Sequence, residues 1–219
     1  MTTLLVTGTA GIGVSRLLDE TERRVSELPE PFTVIRCSTR AGRWGEPYAP
    51  VVAGFGPLLA AVPDERLAGL VGPGAEPLSR LFPQLEPRLR RLGLLPDRPW
   101  VVPPERRQAR LLEAVLGCLE RLGERSPVIL ALEDLHVADV ATRALATFLA
   151  RITRPGRVCV LVTYQPDELT RDHPLRADLA AMAEATDPPA RLELGPLGRD
   201  DLAALVEGIE GERPSAAAL

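Results

Sequence analysis

Two stretches of this chain are apolar at every position: Val128-Ile129-Leu130-Ala131-Leu132 and Val158-Cys159-Val160-Leu161-Val162. Each is too short to be a stable buried helix. A strand with both faces apolar suits a parallel sheet covered by helices on both sides. Helical patterns lie between and around these runs. One spans 105–122 with a stripe of Leu111, Leu112, Val115, Leu116, Leu119 and Leu122. Another carries Leu145, Phe148, Leu149 and Ile152 and closes at Arg154-Pro155-Gly156. Strands alternating with helices are the mark of an α/β fold.

The N-terminal part repeats the pattern. Leu4-Leu5-Val6-Thr7 reads as a strand and Gly8-Thr9-Ala10-Gly11-Ile12-Gly13 as a glycine loop. A helix follows with Leu17, Leu18, Thr21, Val25 and Leu28 on one face. It stops at Pro29-Glu30-Pro31, and Phe32 to Cys37 forms a second strand. Residues 40–104 hold 12 of the 22 prolines and 8 of the 18 glycines. That stretch reads as an irregular insertion or flexible loop, with room for short helices at 51–62 and 78–92. Beyond it, a helix is expected near 175–185, an edge strand at Arg191-Leu192-Glu193-Leu194, and a last helix from Leu202 to Ile209. The chain thus divides into an α/β domain over 1–195 and the start of a helical lid over 196–219. The apolar face of the last helix should be poorly covered and the final residues mobile, as at a boundary that cuts a lid short.

Composition narrows the function. No apolar run approaches the roughly 20 residues that span a bilayer, and the N-terminus lacks the regions of a signal peptide. A net charge of -4 gives no footprint for nucleic acid. Three widely spaced cysteines, Cys37, Cys118 and Cys159, argue against a disulfide framework or a thiolate metal site. His136 and His173 are the only histidines. A reducing cytoplasm is the expected compartment. All 26 basic residues are arginine, so chemistry that needs a lysine is excluded.

Gly8 to Ser15 fits G-x-x-x-x-G-K-[ST] at every fixed position except the lysine, where Val14 stands. Glycines in such a loop let successive N–H groups turn inward as an anion nest, and the following helix points its positive end at phosphates. A serine in that place reaches Mg²⁺. A missing lysine removes a charge-assisted hydrogen bond of about 1.5–3 kcal/mol. Arg16 is rotated by about 100° on a helix and cannot simply replace it. Val128 to Leu132 then delivers Glu133 and Asp134 to the end of a buried strand, a Walker B pattern.

Several ordered motifs carry a family resemblance. GTAGIGVSRLL is similar to GxAGIGKSRLL, VILALEDLHVAD to hhhhEDLHWAD, and LVTYQPDEL to LVTYRPDEL, with HPLRADLAAM and LELGPLGRDDLAAL following. Together they resemble the AAA-like nucleotide-binding domain of STAND-class ATPases in large LuxR-type transcriptional regulators of actinobacteria. The resemblance implies a three-layer P-loop sheet of order 5-1-4-3-2 and a helical lid. It implies ATP or ADP with Mg²⁺ as ligands and a nucleotide-driven switch. It maps Gly8, Thr9, Ala10, Gly11, Ile12, Gly13, Val14, Ser15 and Arg16 to the nucleotide loop. It maps Ser15 and Glu133 to Mg²⁺, Asp134 to the catalytic acid and Thr163 to the sensor position.

Three departures stand out: Val14 for lysine, Val137 for tryptophan and Gln165 for arginine. Two of them remove positive charge. The expected function is therefore a regulatory, STAND-type ATP-binding domain with weak nucleotide binding and impaired hydrolysis. A regulatory protein or a second copy is the expected partner; membrane or direct nucleic-acid contact is not. The alternatives are a scaffold that keeps only the fold, and an ATPase completed by a basic residue in trans. His136 is expected to pack behind the acids. Arg88, Arg90, Arg91, Arg106, Arg107 and Arg110 are expected to form a solvated basic face.

Overall fold

A computed structural model of the chain describes residues 1–39, 46–97, 103–152 and 154–211. Five parallel strands form one sheet: β1 (Thr2–Thr7), β2 (Thr33–Ser38), β3 (Val128–Glu133), β4 (Val158–Tyr164) and β5 (Ala190–Glu193). Their order is β2-β3-β4-β1-β5, which is the expected 5-1-4-3-2 seen from the other edge. Leu4 pairs with Leu161, Leu130 with Val160 and Ile35 with Leu130. Every residue of β3 is buried, because it lies inside the sheet and both its faces are covered. β5 is exposed throughout, as an edge strand that few side chains cover.

Strand alternation divides the core into two layers. Val6, Ile129 and Leu161 face α1 (Val14–Ser26) and pack with its Leu18. Leu5, Leu130, Val160 and Val162 face the other way, into the larger core. That side is covered by α6 (Pro104–Gly123) and α7 (Val140–Arg151), which present Leu116, Leu119, Leu145 and Leu149. α8 (Leu175–Ala183) is tied to α7 by an Arg143–Asp178 ion pair at 2.9 Å.

The segment expected to be irregular is largely helical. It contains α2 (Ala49–Ala61), α3 (Asp64–Val71), α4 (Ala75–Leu81) and α5 (Glu86–Arg91). The helix expected at 51–62 is there, the stretch around 78–92 holds two helices, α4 and α5, separated at Pro83, and α3 is an addition. Its prolines open helices more often than they break them. Pro50, Pro87 and Pro104 sit in first turns and Pro63 is an N-cap, where a missing N–H costs nothing. The unit is closed by Phe55 and Phe82, edge to face at 5.8 Å. Gly54 lets α2 lie directly on β2, since a Cβ there would sit 2.1 Å from the Arg36 carbonyl oxygen.

Arg88 lies under this unit rather than on a solvated face. Its guanidinium pairs with Asp64 and donates to the Leu59, Ala60 and Val62 carbonyls at the end of α2. Arg121 does the same for Leu70 and Val71 at the end of α3. Arg90 and Arg91 pair with Glu86 and Asp64, while Arg106 and Arg107 are exposed.

After β5, α9 (Arg199–Glu210) exposes Leu202, Leu205 and Ile209 and buries Ala203. The expected mobile end falls on 212–219, outside the described residues.

Candidate functional site

All five strands run the same way, so one edge of the sheet collects every strand's C-terminal end. The glycine loop, the acidic pair and the end of β4 meet on that edge, where α/β sheets bind ligands.

The loop after β1 is built by glycine. Gly11 (φ 81°) and Gly13 (φ 111°) adopt left-handed backbone that other residues rarely take. Gly8 is buried, and a Cβ on it would come within 2.4 Å of the Ile12 side chain. Gly13 caps α1 without a side chain, and the first turn of α1 holds no acid. The first N–H groups of a helix have no partner inside it, so this turn offers donors and a positive dipole end to an anion. Thr9, Ala10, Gly11, Ser15 and Arg16 are exposed; Ile12 and Val14 are half-buried. Val14 packs on the Val6, Leu18, Ile129 and Leu161 cluster. Val14 is thus an apolar contact that brings no charge to the loop.

At the end of β3 the situation reverses. Both oxygens of Glu133 accept from Arg36 of β2, at 2.7 and 3.1 Å. Arg36 also donates to Asp19 of α1 at 2.5 Å and lies 3.6 Å from Glu22. The Glu133 side chain is only 10% exposed. Hydrogen bonding to Glu133 and Asp19 outweighs desolvation and raises the Arg36 pKa, so the guanidinium stays charged. Ser15, Asp19 and Glu22 share one face of α1 at helical spacing, so the Arg36 bridge turns the Ser15 face toward β3.

Asp134 sits in the left-handed region (φ 53°), which aspartate enters more readily than most side chains. Its N–H donates to Thr163 Oγ1 at 2.9 Å. Thr163 is 2% exposed and pairs with Val6 of β1, so the expected sensor threonine lies between the two loops. His136 is buried, and its Nδ1 accepts the Gln165 N–H at 3.4 Å. Burial lowers its pKa. Gln165 is thereby held by its backbone, and Val137 is exposed. Asp139 caps α7 through the Thr142 N–H and accepts the Tyr48 N–H, tying α2 to the acidic loop. Burial pushes the Cys37 and Cys118 thiols up to about 12, which leaves them inert.

The donors for a Mg²⁺ ion would be Ser15 and Glu133. Ser15 is open, but Glu133 already carries a two-pronged bond to a cation. As folded, this set does not fit a divalent ion. Among the described residues, no cluster of three or more His, Cys, Asp or Glu side chains is placed to hold a metal.

A family model described as an AAA ATPase domain matches residues 2–161, from β1 through the acidic pair into β4. The chain belongs to this family. This AAA ATPase domain is 27% identical over 215 residues to an uncharacterized protein of Rhizobium meliloti (strain 1021). That match covers 90% of the chain but 18% of the longer relative. Among solved structures, the Aeropyrum pernix ORC1 protein in complex with DNA has a TM-score of 0.45 at 12% identity. It covers 98% of this chain and 45% of that one. Among the described residues, no helix of the domain is long and apolar enough to cross a membrane.

Two features of the site escaped sequence reasoning. Arg36 lies within a strand, and its lone charge among Val34, Ile35 and Cys37 is itself a signal of a partner. Asp139 ends the EDLHVAD motif, and its place three residues before Thr142 is an N-cap spacing.

Proposed function

We propose that this AAA ATPase domain binds ATP or ADP at the loop Gly8–Gly13 and does not hydrolyse ATP efficiently. The reading is carried by one observation: two left-handed glycines aim the uncapped first turn of α1 outward, while Val14 packs into an apolar cluster. Backbone N–H groups of the loop and the Ser15 hydroxyl bind the phosphates. Thr163 holds the Asp134 backbone, so a shift of the loop against β4 is felt at the acidic pair. Asp134 is the proposed catalytic acid, and it acts poorly because phosphoryl transfer needs positive charge where Val14 gives none.

The resemblance to the STAND-type domain of LuxR-type regulators makes the domain a regulatory module. Residues 1–195 are then the nucleotide-binding unit and 196–219 the start of a lid. The exposed Leu202, Leu205 and Ile209 of α9 support a further layer there, from a protein partner or a second copy. A cytoplasmic location goes with this role.

Calorimetric titration with ATP and ADP tests the reading. Wild type should bind both. Gly13→Ala, which must strain the αL position, should bind neither while keeping its circular dichroism spectrum. If folded wild type takes up no nucleotide, the scaffold alternative replaces this one.

A further inference from the structure

The positive charge of this site lies in an unusual place. The glycine loop carries none at Val14, whereas the acid at the end of β3 is bound by Arg36 through both of its oxygens. A guanidinium fork matches a carboxylate in shape and charge, and such paired bonds are the strong ones. Arg36 is further held by Asp19 at 2.5 Å and by Glu22 at 3.6 Å. It comes from β2, whose backbone is clamped under α2 at Gly54. A divalent ion that used Glu133 would have to displace this cation from two carboxylate oxygens. It would leave a guanidinium that is only 29% exposed without its main partner.

We propose that Arg36 takes the place of a divalent cation at Glu133, so that nucleotide binds the glycine loop without requiring Mg²⁺. The inference rests on the nucleotide-binding reading above and deepens it. Arg36 acts here as a positioning residue: it holds Glu133 and does not touch the phosphates. Removing it should leave both oxygens of Glu133 without their counter-ion and so able to take a cation from solvent.

Two measurements on the full chain separate this idea from the reading beneath it. The first is calorimetric titration of ATP and ADP in Mg²⁺ and in EDTA. Wild type should bind each nucleotide no more than about twofold more weakly in EDTA. A loss of tenfold or more would overturn the proposal while leaving nucleotide binding intact. The second uses Mn²⁺ alone, followed by electron paramagnetic resonance, with no nucleotide present. Wild type should bind no Mn²⁺ at the site. Arg36→Gln should gain binding that Glu133→Gln, added to it, removes. Mn²⁺ binding by wild type that Glu133→Gln abolishes would contradict the proposal whatever the nucleotide does. If Arg36→Gln does not fold, Arg36→Lys keeps the charge without the fork and should show a weaker gain. No gain in a folded Arg36 variant also counts against it. No nucleotide uptake in either buffer would instead remove the reading on which the inference stands.

Discussion

The loops after β1 and β3 lie on the same edge of the sheet and have been charged in opposite ways. The first is open, held by glycine backbone, and makes an apolar contact through Val14. The second is crowded. Its glutamate is paired with Arg36, its aspartate is fixed by Thr163, and Asp139 caps the helix that follows. The contrast teaches that a loop with an apolar residue at Val14 can face an acidic loop that is fully ordered by its own partners. The acidic half keeps its order through protein partners, so it does not wait for a ligand to organise it.

The largest effect should come from Arg36→Ala. It leaves a nearly buried carboxylate without its counter-ion, a defect that costs about 3–5 kcal/mol at fully buried pairs. With Arg36 part exposed, about 2–3 kcal/mol is expected by urea denaturation. Arg36→Ala with Glu133→Ala should recover part of it. A loss below about 1 kcal/mol would make the pair an ordinary surface contact and weaken the contrast. Val14→Lys acts on the other loop. It should raise affinity for ATP by about ten- to a hundredfold, because the loop already has the spacing and a lysine stem can pack where valine does. Unchanged affinity would show that the open loop does not cradle phosphate.

Asp139→Ala should cost about 1–2 kcal/mol, since one carboxylate serves both the α7 cap and the Tyr48 N–H. The smallest effect is a pH dependence from His136. Burial lowers its pKa in the folded chain; Asp134 and Glu168 oppose that shift, and His173 adds to it. In the unfolded chain the imidazole takes a proton below about 6.5. The unfolded state then binds more protons, so stability should fall as pH drops through 6.5 and recover above it. His136→Gln should flatten that slope in denaturation curves collected across the range.

The sheet was legible because it is written in runs that only a covered parallel strand explains. β3 was expected at Val128 to Leu132 and extends one residue further, to Glu133. β5 is displaced by one residue from its expectation, as suits a short exposed edge with little packing to fix its ends. The insertion was legible only in part: helices near 51–62 and 78–92 could be expected, but α3 and the compact packing of the unit could not, because a count of prolines hides whether each one opens a helix or breaks it. Pro50 and Pro87 open theirs. The glycine loop could be placed from local spacing alone. The Arg36–Glu133 pair could not, since its partners are 97 residues apart and meet only through the β2–β3 register.

Steady-state ATP turnover by the purified chain tests the central claim most directly: that this is a nucleotide-binding domain whose catalytic charge is gone. Wild type with Mg²⁺ should hydrolyse ATP at background, and Asp134→Asn should change nothing. Mg²⁺-dependent turnover that Asp134→Asn abolishes would contradict the account. If that turnover also rose with protein concentration, it would point to an arginine supplied by a second copy.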